Sequence, residues 1–289
     1  MKTRIISALV GTVLLLAVLF CPYTWVFTLA AAALAAIAVW ELLHNTGIVK
    51  NKLLLFGSVA FSALMVYAAY AAQEVSAGAD PTLPLPANAL VPLVLMLLAV
   101  YALFVLLTWL ACCKAVTFTT VAVAFLLTLY ATAGFASLAA LRVYDNAYYG
   151  LIRLLFALVI PWTSDIGAYF TGMLFGKHKM APVVSPKKTW EGFFGGWAFS
   201  VGSSALLAVI FNLIYNRYDI FFSVTSYALT SLVLAPLSVL GDLFASLIKR
   251  RCGIKDYGNI MPGHGGVMDR FDSVVLIAPL LYLMVCLFG

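Results

Sequence analysis

The sequence predicts an all-α integral membrane protein, a polytopic bundle of about nine transmembrane helices with a cytoplasmic N-terminus. Three observations predict it. Hydrophobic residues make up 64% of the 289 positions and charged residues 10%, with a mean hydropathy of +1.07, whereas a soluble domain carries about 25% charge. Several apolar runs exceed the roughly 18 residues that mark a bilayer-spanning helix. The cations, finally, concentrate in alternate connections, as orientation in a membrane requires.

The first span covers Ile5 to Phe20. Lys2 and Arg4 give it the basic start of a secretory signal, but no small-x-small cleavage site follows, and Phe20 before Cys21 is a poor lipoprotein box. It therefore reads as an uncleaved span. The second covers Tyr23 to Leu43 and the third Leu53 to Ala72, followed by a polar, proline-bearing loop from Gln73 to Asn88. The fourth runs from Leu90 to Ala111, the fifth from Phe118 to Leu141, and the sixth from Tyr149 to Phe175. Glu191 to Tyr215, Phe222 to Ile248 and Val267 to Phe288 complete the set.

With the N-terminus inside, the inner face receives Lys2, Arg4, Lys50, Lys52, Lys114, Lys177, Lys179, Lys187, Lys188, Lys249, Arg250, Arg251, Lys255 and Arg270. Those are 14 of the 17 cations; Arg142 and Arg217 fall outside, and Arg153 lies within the sixth span. The net charge of +6 is thus explained by topology, and no nucleic-acid partner is expected. The five cysteines lack metal-ligand spacing and read as free thiols. No internal repeat is visible, so residues 1–289 read as a single transmembrane domain. Residues 1–147 are mainly scaffold, with Glu41 read as an interfacial residue at a helix end, and residues 148–289 bring the catalytic spans and loops.

Two stretches depart from this apolar background. Gly241 to Asp272 holds 9 of the 28 charges in 32 positions. Ionisable residues at a membrane boundary are costly unless they pair, bind an ion or bind a substrate. Asp242, Ser246 and Lys249 fall on one helical face, and Asp269 and Asp272 on another. Between them lies a loop rich in glycine and cation, whose backbone can approach phosphate closely. Carboxylates interleaved with cations and glycines point to a metal-assisted phosphate site.

The second stretch is Pro161 to Gly196. Asp165, Tyr169, Gly172 and Gly176 share one face of the sixth span, where the glycines allow close helix packing and Asp165 suits a polar cavity. Ser185-Pro-Lys187-Lys188-Thr189-Trp-Glu191-Gly192 reads as a cytoplasmic loop entering the seventh span. Its hydroxyls, ammonium groups and helix N-terminus are the groups that bind phosphate oxygens.

These motifs resemble those of the bacterial CDP-diacylglycerol synthases (phosphatidate cytidylyltransferases). The matching positions are Ser246, Lys249-Arg250, Lys255-Asp256, His264-Gly265-Gly266 and Asp269-Arg270-Phe271-Asp272, together with Ser185 to Gly192 and Asp165-x-x-Ala168-Tyr169. Met261 before Pro262 replaces the expected Leu, Ile or Phe at similar volume. The resemblance is dense from Pro161 to Asp272 and extends to hydropathy alone over the first five spans.

The resemblance implies a multi-pass enzyme of the cell (inner or plasma) membrane, usually homodimeric, with its active site at the cytoplasmic face. It would convert CTP and phosphatidic acid to CDP-diacylglycerol and pyrophosphate in phospholipid biosynthesis, with Mg²⁺ or Mn²⁺. Asp242 and Asp269 are expected as the main metal ligands, with Asp272 and Asp165 behind them. Lys249 and Arg270 are expected at the reacting centre, binding phosphate with Arg250 and Lys255. Lys187 and Lys188 would contact phosphate from the facing loop, and His264 would make a loop hydrogen bond or a phosphate contact. Asp165, Tyr169, Ser185, Thr189, Glu191, Ser246, Asp256, Gly265 and Gly266 complete the expected substrate site.

Rival readings are weaker. A transporter would distribute polar residues over both halves, whereas here they cluster in one half and at one face. Another CTP-using lipid enzyme would share the metal-phosphate site and differ in acceptor. The enzymes that use CDP-diacylglycerol as donor carry Asp-Gly-x-x-Ala-Arg, and no such run occurs.

Overall fold

The computed structural model describes residues 2–21, 23–76, 90–144, 147–215, 220–260, 263 and 265–288. Residues 77–88 of the polar loop, with Arg217, Met261, Pro262 and His264, all singled out from the sequence, lie outside the described residues. Among those described are nine α-helices: α1 (Lys2–Leu19), α2 (Thr24–Trp40), α3 (Lys52–Ser76), α4 (Leu90–Ala111), α5 (Phe118–Val143), α6 (Ala147–Phe175), α7 (Trp190–Tyr215), α8 (Ile220–Arg251) and α9 (Met268–Phe288). Eight of them, from α2 to α9, are long and apolar enough to cross a membrane. The all-α polytopic class holds.

Two features go beyond the spans. A π-helical turn, Glu41–Asn45, extends α2, and the antiparallel strands β1 (Lys179–Ala181) and β2 (Ser185–Thr189) connect α6 to α7. The segment read as a loop is therefore a hairpin. The two helices it joins pack too closely for a slack connection. The last helix-forming stretch of α8 also runs beyond the expected Ile248, so Lys249 to Arg251 sit on the helix itself.

The chain divides into two compact units, Met1–Leu151 with Arg251–Phe271, and Ile152–Arg250 with Asp272–Gly289. In the first, α2, α3 and α5 pack against one another. Small residues permit it: Ala31, Ala35 and Ala38 on α2 and Ala124, Ala131 and Ala139 on α5 are all buried. In membranes such close contact replaces the hydrophobic drive that helices have in water. Within this core the Ser58 and Tyr101 hydroxyls meet at 2.9 Å.

The second unit is organised by glycine. A Cβ on Gly196 of α7 would approach Ala168 Cβ to 2.9 Å, and one on Gly192 would come within 2.8 Å of the Ala168 carbonyl on α6. On α6 itself, a Cβ at Gly172 would meet the Thr189 hydroxyl at 3.0 Å. The small-residue face expected from the sequence is thus the seam between α6 and α7. Further along, Ser200 donates to the Ile160 carbonyl at 2.9 Å and meets Ser231 of α8 at 3.1 Å. Gly241 does the same for α8 and α9, where a Cβ would meet the Asp272 carbonyl at 2.8 Å.

This packing predicts a position-dependent glycine tolerance. Gly196→Leu should lower unfolding stability in detergent micelles by about 1–3 kcal/mol, the usual cost of overpacking. Gly202→Leu, where nothing lies within 4 Å, should leave the thermal midpoint close to that of the parent protein.

Candidate active site

The hairpin is set by its end residues. Lys179 pairs with Thr189 and Ala181 with Ser185, and the Trp190 amide donates to the His178 carbonyl at 3.0 Å. Thr189 then caps α7: its hydroxyl accepts from the Gly192 amide at 3.2 Å, the role for which threonine is favoured at a helix start. Glu191 closes the base of the hairpin. Its carboxylate accepts from the amides of Lys177 at 3.1 Å and His178 at 3.2 Å, and its Oε1 meets His178 Nδ1 at 2.6 Å. Glu191 is therefore spent on shaping the hairpin, which leaves the lysines of β2 as its outward chemistry.

Lys187 and Lys188 point to opposite sides of the strand, as successive residues must. Lys187 is exposed, while the Lys188 Nζ is shielded from solvent. Its partner is Asp242 of α8, whose Oδ2 lies 2.6 Å away. Asp242 is further held by Ser246, which donates from its hydroxyl to Oδ1 at 3.2 Å, one helical turn on. The face Asp242–Ser246–Lys249 read from the sequence is thus real. Coulombic interaction ties Asp242 to Lys249 as well, and links Asp165 and Asp272 to Asp242 and to each other.

The cluster in this unit thus holds three carboxylates, Asp165, Asp242 and Asp272, against the two ammonium groups Lys188 and Lys249. Among the described residues, no group of three or more His, Cys, Asp or Glu side chains converges closely enough to hold a metal ion as it stands. The donor chemistry nevertheless fits a hard divalent cation. The available ligands are carboxylate oxygens, and they exceed the fixed cations by one charge. Arg250 is exposed, and Tyr169 is 67% exposed with its ring edge-on to Phe170 at 5.6 Å.

In the other unit, Asp269 opens α9 and organises the loop before it. Its Oδ2 accepts from the amides of Tyr257 at 2.7 Å and Gly266 at 3.0 Å. Gly265 takes φ +87°, the left-handed region that favours glycine. Lys255, Asp256 and Arg270 are exposed around this loop. Asp269 therefore acts here as a loop-shaping acceptor.

Sequence reasoning missed the residue beneath that loop. Glu41 does stand at the end of α2, but it is fully buried, and its two oxygens accept from the amides of Val267 at 3.0 Å and Met268 at 2.8 Å. Its only sequence-level signal was that it is a carboxylate at the end of an otherwise apolar span.

With the fold and these groupings in view, comparison with known proteins is decisive at one level. The sequence model of the cytidylyltransferase family matches residues 2–288. The chain belongs to that family. Among its relatives are the phosphatidate cytidylyltransferases of Staphylococcus epidermidis, 43% identical over 142 residues, and Bacillus subtilis, 43% identical over 141. That of Haemophilus influenzae is 41% identical over 140 residues. These alignments cover 49%, 49% and 46% of this chain and 52%, 50% and 46% of the relatives, so the chain spans about half the length of the curated relatives it matches.

For this cytidylyltransferase-family chain, the hairpin geometry makes a direct prediction. Glu191→Ala should free the Lys177 and His178 amides, and limited trypsin digestion in micelles should cut at Lys177 or Lys179 about tenfold faster, as expected for loss of roughly 1.4 kcal/mol of local closure. An unchanged cleavage rate would mean that Glu191 does not hold the hairpin.

Proposed function

We propose that the protein is a phosphatidate cytidylyltransferase that joins CTP and phosphatidic acid into CDP-diacylglycerol and pyrophosphate. The observation that carries this reading is the Lys188–Asp242 pair with Asp165, Lys249 and Asp272 around it, on helices that the sequence orients toward the inner membrane face. One substrate is an anionic lipid and the other a water-soluble nucleotide, so their reaction needs charge at the boundary between membrane and water. The family membership and the relatives' names support the same reaction class. In this reading the protein resides in the cell membrane as a homodimer, with its site on the cytoplasmic face.

In the reaction, an oxygen of the lipid phosphate bonds to the α-phosphorus of CTP. The bond from that phosphorus to the bridging oxygen breaks, and its electron pair leaves with pyrophosphate. No protein nucleophile takes part. Two anions must meet in line, so positioning and charge neutralisation carry the catalysis. Mg²⁺ or Mn²⁺, when bound, would neutralise phosphate charge and orient the triphosphate. Asp242 and Asp272 would hold it, with Asp165 beside them; the ligand role of Asp269 rests on the resemblance alone, and its described contacts are those that shape the loop before α9.

Lys188 has a specific part in this proposal. It is paired to Asp242, so its ammonium would bind an incoming phosphate beside the carboxylate that would hold the metal ion. Lys249 stabilises the same phosphates from α8, one turn beyond Ser246. Lys187 and Arg250 offer further cations to the triphosphate and the lipid phosphate, and the resemblance alone assigns phosphate contacts to Lys255 and Arg270. Ser185, Thr189 and Glu191 serve by shaping the hairpin that presents the lysines, and Asp256, Gly265 and Gly266 by shaping the loop before α9.

Purified protein given CTP, Mg²⁺ and a panel of lipid acceptors should release pyrophosphate only with phosphatidic acid. Release with diacylglycerol or a polyprenol phosphate instead would contradict the assignment. Asp242→Asn should fall below about a tenth of the parent rate, a loss of more than about 1.4 kcal/mol in transition-state stabilisation. A variant that keeps more than that would remove Asp242 from the reacting centre.

A further inference from the structure

We propose that Glu41, in the half of the chain that reads as scaffold, is a positioning residue that fixes the backbone of the glycine-bearing loop in front of α9. The inference rests on the proposed function only for its consequence in turnover; the geometry stands by itself. All of its parts lie in one compact unit.

Three observations converge on it. First, the Glu41 carboxylate is fully buried, and each oxygen is committed to a separate backbone donor: Oε1 to Val267 at 3.0 Å and Oε2 to Met268 at 2.8 Å. These are the amides of the residue before α9 and of its first residue, at a helix start where N–H groups have no partner within the helix. Glu41 thus caps α9 from a helix 226 residues away in the chain. Second, the loop is cut to fit the carboxylate. A Cβ at Gly258 or at Gly266 would collide with the Glu41 side chain, so both positions need glycine for close approach. Third, a neighbour on the same π-helical turn grips the loop at another point: Asn45 Nδ2 donates to the Tyr257 carbonyl at 2.7 Å.

The extra residue in the π turn (Glu41–Asn45) explains how both side chains reach. In an ordinary α-helix, residues four apart share a face. A π turn shifts the register, a device often found at functional sites, and here Glu41 and Asn45 address two parts of one loop. The same loop is also held from the α9 side by Asp269, which takes the Tyr257 and Gly266 amides. Tyr257 is thereby gripped through both its N–H and its C=O. Gly266 is held through its amide and pressed by Glu41. Immediately before Tyr257 lie Lys255 and Asp256, both exposed.

A carboxylate is required, and glutamine is not equivalent. Both contacts are made by acceptors facing N–H groups. An amide of equal size offers one acceptor and turns its NH₂ toward the second N–H, leaving a buried donor without a partner. Glu41→Gln should therefore loosen the loop at nearly constant side-chain volume. Glu41→Asp keeps both acceptors one methylene short and should recover part of the grip.

The test uses the full chain in micelles, with two readouts. Limited trypsin digestion reports loop opening at Lys255, with cleavage at Lys177 and Lys179 as an internal reference in the other unit. Steady-state pyrophosphate release reports turnover. Glu41→Gln is expected to raise cleavage at Lys255 by about tenfold relative to the reference sites, and to lower kcat by about tenfold with a smaller change in the KM for CTP. Glu41→Asp should lie between it and the parent on both readouts. Unchanged cleavage at Lys255 in Glu41→Gln would overturn the proposal. So would an equal rise at all three sites, which would make Glu41 an ordinary core residue. Loop opening with unaltered turnover would overturn its link to the reaction. If the parent protein released no pyrophosphate from CTP and phosphatidic acid, the functional reading would fall, and the digestion pattern would still decide the role of Glu41.

Discussion

The interaction on which the candidate site depends is the ion pair between Lys188 and Asp242, made at 2.6 Å with both side chains about three-quarters shielded. A carboxylate brought near two others at a membrane boundary would be expensive without a counter-charge. Lys188 supplies it, and Ser246 supplies a hydrogen bond. The need to deliver an ammonium to that point explains the hairpin: a strand presents Lys188 on one side and Lys187 on the other, and Thr189 and Glu191 pin the strand to the start of α7. Each of the polar residues between Ser185 and Gly192 that has a described contact thereby has a physical reason for its place.

Packing makes this pair possible. The glycines of α6 and α7 let two helices approach until the cap residue Thr189 touches the opposite helix, and Gly241 brings α8 against α9 at the level of Asp272. Larger residues would open those seams by the width of a side chain, and Coulombic interaction weakens as charges separate and water enters. Polar chemistry is thus obtained from apolar helices by close backbone approach. In the other unit a buried glutamate achieves a comparable end, holding a loop by its amides instead of by charge pairing.

Much of this was legible in the sequence. Long apolar runs gave the spans, because hydropathy over a helix length is a strong signal with few competing explanations. The face carrying Asp242, Ser246 and Lys249 followed from helical spacing, and the glycines of α6 from the demands of close packing. What could not be read were contacts that no local pattern encodes. Glu41 meets Val267 across 226 positions, and a lone carboxylate at the end of a span looks the same whether it faces water or caps a distant helix. The pairing of Lys188 with Asp242 was hidden for the same reason: two lysines in a basic connection are sufficiently explained by membrane orientation. The hairpin was obscured because Pro186 and the charged residues around it carry little strand propensity, and closure by Glu191 supplied what the local sequence lacked.

The ion pair is tested most directly by a double-mutant cycle, in which unfolding free energy in micelles, without substrates or metal, is measured for Lys188→Met, Asp242→Asn and the double variant. If the pair anchors the cluster, each single change should leave a charge without its partner, and the double variant should lose less stability than the sum of the singles by about 1 kcal/mol or more. Effects that add to within about 0.3–0.5 kcal/mol would show two independent side chains and contradict the account.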